Sequence, residues 1–137
     1  MAIIVDTGVF VSAADSGEPR HGASGQVLDN HAGELVVPAP VVPETTWMIE
    51  SRLGPAAEAA FLRLVTTGEV QVIDLDLPVY QRCIELIETY SDLGPGFIDA
   101  SVVAVAERER ITTIATLNHR DFMVMRPYQC QAFELLP

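Results

Sequence analysis

Ile3-Ile4-Val5-Asp6-Thr7 is the stretch on which the fold turns. Three apolar residues of strand type stop at a carboxylate, and a hydroxyl follows it. In sheets built from alternating strands and helices, functional sites gather beyond the C-terminal ends of the strands. An acid delivered there by a buried strand is placed to act. Working outward, three more carboxylates fall at comparable junctions. Glu44 follows Val41-Val42-Pro43, Asp99 follows Gly94-Pro95-Gly96-Phe97-Ile98, and Asp121 lies just past Thr116-Leu117-Asn118.

Strand-like runs occupy 2–6, 34–37, 70–75 and 112–117, with a weaker one at 131–135. Helical periodicity fills the intervals. Ala57, Ala60, Phe61 and Leu64 share one face over 55–67, and Val79, Cys83, Leu86, Ile87 and Tyr90 share one over 78–90. Segment 97–108 is apolar nearly all round, the pattern of a helix buried mid-domain. Gly22 and Gly25 weaken the helical reading of 20–30. The alternation predicts an α/β fold: a three-layer α/β/α arrangement with a mostly parallel central sheet of four or five strands. At 137 residues, one domain spanning 1–137 is expected.

The chain is 49% hydrophobic, enough for a core. It has no apolar run of the roughly 18 residues that a membrane helix needs. With no basic-then-apolar leader pattern either, a soluble cytoplasmic protein is expected. Net charge is −11, from 19 acids against 8 bases, and every base is Arg. That balance opposes broad binding to duplex nucleic acid, which depends on neutralising phosphates. It suits a concentration of acids around a divalent cation, or a basic protein partner. Cys83 and Cys130 lack zinc-type spacing and read as reduced thiols.

In a parallel sheet, strand C-termini and the helix N-termini that follow share one edge, so Asp6, Glu44, Asp99 and Asp121 can converge there. Clustered carboxylates raise one another's pKa unless a cation compensates. Oxygen-only ligands select Mg2+ or Mn2+ over Zn2+. Such a site can activate water and stabilise an in-line phosphoryl displacement, so phosphodiester hydrolysis fits best. The plainer alternative is that an acid at a helix N-terminus is a cap or a partner of the helix dipole. It applies to Glu44 and Asp99 more than to Asp6, which a charge at a strand end does not explain. Asp15, Asp29, Asp74, Asp76 and Asp92 read as solvated, and so do His21 and His31. Trp47 reads as core or dimer interface.

The chain resembles the PIN-domain ribonucleases, and among them the VapC toxins of toxin–antitoxin pairs. The motifs that carry the resemblance are Val5-Asp6-Thr7, Pro43-Glu44, Gly96-Phe97-Ile98-Asp99-Ala100-Ser101 and the run from Ala115 to Phe122. Arg126-Pro127 and the run from Phe133 to Pro137 also look like this family. The resemblance implies a Mg2+- or Mn2+-dependent endoribonuclease, active on RNA and neutralised by a VapB-type antitoxin. It also implies a homodimer, and a heterotetramer or larger assembly with the antitoxin.

By position, Asp6, Glu44 and Asp99 match the family's first three acids, and Thr7 the hydroxyl after the first. Many members carry Asp where Asn118 stands. Asp121 therefore joins Asp6 and Asp99 as an expected metal ligand, with Thr7, Thr116 and Asn118 in support. Arg120 and His119 are expected to contact phosphate at the mouth, with a solvated turn as the alternative.

Three other classes of protein also gather acids in this way or share the fold. A phosphohydrolase or phosphotransferase on another α/β fold wants Asp-x-Asp after the first strand, and Gly8 stands there instead. A receiver domain wants a late Lys, and the chain has none. A catalytically weak PIN-like protein that binds RNA or a partner stays open because of Asn118.

Overall fold

The computed structural model describes all 137 residues. Five strands form the sheet: β1 (Ile3–Val5), β2 (Leu35–Pro38), β3 (Val70–Ile73), β4 (Thr113–Ala115) and β5 (Glu134–Leu136). All pair in parallel, in the order β3-β2-β1-β4-β5. Seven helices connect them: α1 (Thr7–Ala14), α2 (His21–Asn30), α3 (Val41–Leu53), α4 (Pro55–Thr66), α5 (Leu77–Thr89), α6 (Gly96–Glu109) and α7 (His119–Val124). This is the expected three-layer α/β/α sheet, with all five strands parallel.

Strand order explains the layering. From β1 the chain steps to β2 and then β3 in one direction, and after α5 and α6 it returns to β4 on the far side of β1. Right-handed crossovers then put α1 to α4 on one face and α5 to α7 on the other. Helix pairing agrees: α1 packs on α2 and α3, α3 on α4, and α5 on α6. The residues Ile3, Ile4 and Val5 are buried on both faces, as a central parallel strand requires. Helix α6 is buried from Ala100 to Ala106, in keeping with its nearly all-round apolar sequence.

Several expectations need correction. Helices α1 and α7 were not anticipated. The last strand lies at Glu134–Leu136, three residues beyond the start of the expected run. Trp47 is 69% exposed, so it is not core. Ile87 is 37% exposed and leaves the inner face of α5, which is built by Val79, Cys83 and Leu86. Asp76 is no idle surface acid: it caps α5 by accepting from the Val79 N–H at 3.0 Å, and it pairs with Arg108 at 3.0 Å. Both cysteines are free thiols. No helix of the chain is long and apolar enough to cross a membrane.

Candidate metal centre

The strand order reverses between β1 and β4, and a crevice opens beyond their C-terminal ends at such a switch point. Asp6 follows β1 directly and Thr116 follows β4 directly. Asp6 is also the N-cap of α1, because strand and helix meet with no loop between them. Its Oδ1 accepts from the Thr7 backbone N–H at 2.8 Å, and its Oδ2 accepts from the Thr116 hydroxyl at 3.0 Å. The cap role that seemed least applicable to Asp6 is therefore present, and the carboxylate serves helix and pocket together.

Burial pushes Asp6 above the usual carboxylate range, while Thr7 and Thr116 pull it back and Glu44 raises it again. Glu44 stands in the first turn of α3, and Asp99 in the first turn of α6. Asp99 is pushed up to about 7, first by burial and then by the charges of Asp6, Asp121 and Glu44. The other three expected acids thus all act on the Asp99 carboxyl. The structure brings all four to one edge of the sheet from α1, α3, α6 and α7.

Asn118 sits between two of them. It caps α7, its Oδ1 accepting from the Asp121 N–H at 3.4 Å. Its Nδ2 donates to Asp121 Oδ2 at 3.0 Å and to Asp99 Oδ2 at 3.4 Å. Its backbone N–H donates to the Thr116 hydroxyl at 3.0 Å, which continues the chain of bonds to Asp6. Arg120 lies at the rim: its side chain is 84% exposed, and its Nε is 3.7 Å from Asp121 Oδ1. His119 turns a ring nitrogen inward, where it has no partner.

Sequence reasoning missed Thr45. It is fully buried beside Glu44, and its hydroxyl donates to the Thr7 hydroxyl at 3.2 Å, tying α3 to α1. Its signal was available, since Val41, Thr45 and Ile49 form a stripe at fourfold spacing. The Thr7 hydroxyl accepts from Thr45, and Thr7 reaches Asp6 through its backbone N–H.

Whether these residues suit a divalent ion can be judged from the donors. The four acids offer oxygens alone, burial and then the neighbouring acids hold the Asp99 carboxyl above its ordinary range, and Arg120 stands exposed at the rim. That chemistry fits a hard ion such as Mg2+ or Mn2+. As placed, however, no three acids close on a single point. A cavity of about 580 Å³ lies elsewhere, between α5 and the far end of α6, and shares no residue with the acidic site.

Comparison with known proteins defines the class. The PIN domain family model matches residues 3–125. The chain belongs to the PIN-domain family and, within it, to the VapC group. It is 32% identical over 135 residues to Ribonuclease VapC26 of Mycobacterium tuberculosis, covering 98% of this chain and 100% of that protein. Among solved structures it is similar to Mycobacterium tuberculosis VapC20, described as a sarcin-ricin loop cleaving toxin. That match has a TM-score of 0.76 at 20% identity, over 82% of this chain and 87% of that one. It is also similar to a chain of VapBC2 from Rickettsia felis, solved on a promoter DNA fragment. There the TM-score is 0.70 at 17% identity, over 98% and 97% of the two chains.

Proposed function

We propose that this chain is a metal-dependent endoribonuclease toxin that hydrolyses RNA phosphodiester bonds as one domain. The observation that carries the reading is the convergence of Asp6, Glu44 and Asp121 on Asp99 at the sheet's switch point. The names of its relatives support it. Asp6, Asp99 and Asp121 would hold Mg2+ or Mn2+, with Glu44 completing the acidic wall. When bound, the ion offsets the repulsion among the acids and makes a bound water more acidic.

The chain's own residues do the rest. Thr116 and the Thr7 N–H fix the Asp6 carboxylate. Glu44, on a rigid helix start, can orient a water or take its proton. Arg120 and His119 stand at α7, where a phosphate would pass. An RNA single strand or loop gives access to its backbone, whereas the net charge of −11 disfavours a long duplex. RNA cleavage with Mg2+ by wild type, Asp6→Ala and Asp99→Ala tests this. Losses on the order of a hundredfold are expected in both variants. Unchanged activity in both would remove the mechanism.

A VapB-type antitoxin is the proposed partner. Its basic arm would meet the acidic pocket, and the charge difference would speed association. An apolar groove of about 370 Å³, with Phe10, Leu28, Ile49 and Phe61 among its walls, offers such a partner an apolar seat.

A homodimer is proposed as well, through the outer face of α5. Leu77, Tyr80, Ile84 and Ile87 are exposed there with spacing 3-4-3. That narrow seam is what one helix presents to another, not what it lays on a sheet. Phe97 widens it by stacking on Tyr80 with ring centroids 5.8 Å apart. A twofold axis between Tyr80 and Ile84 would pack the seam on its own copy.

A further inference from the structure

We propose that Asn118 is a neutral latch that holds the acidic site together without a metal and competes with the ion for it. The inference rests on the metal-site reading above and concerns a position where the family resemblance implies an acid.

The amide has one orientation that satisfies its neighbours. Its NH2 faces Asp99 Oδ2 and Asp121 Oδ2, and its oxygen faces the Asp121 N–H. Turned over, the oxygen would point at two carboxylate oxygens and the NH2 at a backbone donor. The backbone of Asn118 is pinned as well, through Thr116 to Asp6. The side chain is therefore held as a donor to the site rather than as an oxygen ligand.

A donor with two N–H groups between two carboxylates does part of a cation's work. It satisfies a lone pair on each. The same bonds occupy the edges that an ion would take, which agrees with the absence of three acids closed on one point. Uptake of an ion must first break the bond to Asp99. An Asp at this position would have no hydrogen to donate and would add a ligand.

The decisive experiment is calorimetric titration of the metal-free protein with Mn2+, for wild type, Asn118→Ala and Asn118→Ser. Ser keeps a capping oxygen for α7 but is too short to bridge the two acids, which guards against loss of the fold. If the amide is a latch, both variants bind Mn2+ more tightly than wild type, by about tenfold for one lost charge-assisted hydrogen bond. If Asn118 instead supports the ion, both bind more weakly, and the latch is overturned while the metal site stands. Binding by the variants but not by wild type is the latch in its strongest form. No Mn2+ uptake by any of the three overturns the latch and the metal-site reading together.

Discussion

Thr116 donates its hydroxyl hydrogen to Asp6 Oδ2 at 3.0 Å, a bond between residues 110 positions apart. Thr116 is fully buried and Asp6 keeps 8% of its surface. The bond joins the ends of β1 and β4 and lowers the cost of burying the Asp6 charge.

Removing that hydroxyl leaves a buried carboxylate short of a donor. Thr116→Val is expected to lower stability by about 2 kcal/mol at pH 7, and Thr116→Ser to stay near wild type. Urea unfolding midpoints measure both. A Val variant as stable as wild type would show that the bond contributes nothing net.

Stability of the metal-free protein should depend on pH through Asp99. Its carboxyl is pushed up to about 7 in the folded chain, from an ordinary value of 3.8. Between those values the folded protein keeps a proton that the unfolded chain releases. Stability therefore falls as pH rises from about 4 to about 7 and then levels off. Thermal melts in chelator between pH 5 and 8 should show the decline, and Asp99→Asn should flatten it. A wild type and variant with parallel curves would refute the assignment.

The α5 seam predicts a specific loss of assembly. Ile84 is 55% exposed, so Ile84→Glu should leave the fold intact and place like charges opposite each other across the proposed twofold axis. Light scattering should report twice the chain mass for wild type and a single chain for the variant. A dimeric variant would move the interface to another face.

Helix α6 ends on Arg110 with φ of 56°, a left-handed conformation that suits glycine. The side chain has no ion-pair partner to compensate. Arg110→Gly should stabilise the protein by about 0.5–1 kcal/mol, read as a raised melting temperature. A drop would mean that Arg110 contributes through contacts its exposure does not suggest.

Much of this fold was legible from local patterns. Each of β1 to β4 is an apolar run stopped by a polar or turn residue, and α5 and α6 are long enough for their periodicity to register. Helix α1 escaped because it starts on the residue after Asp6 and contains Gly8 and two valines, all modest helix formers. Helix α7 has six residues, too few for a period, and Asn118 three residues before Asp121 was its sole capping signal.

The inner face of α5 reads too broad in sequence, because 79, 83, 86 and 87 satisfy the same template. Telling Ile87 apart requires knowing which way the helix rolls against α6. The acids were legible because strand ends announce themselves in sequence. The bridging by Asn118 and the bond from Thr45 to Thr7 were not. Both depend on side-chain geometry between segments that meet only after folding.

The central place of β1 has a consequence for synthesis. Asp6 is translated more than a hundred residues ahead of its neighbour β4. At ordinary elongation rates that delay is on the order of ten seconds. Throughout it, the first acid lacks the β4 flank of its crevice. A cell making this protein therefore handles a nascent chain whose cutting edge is still in two unjoined halves.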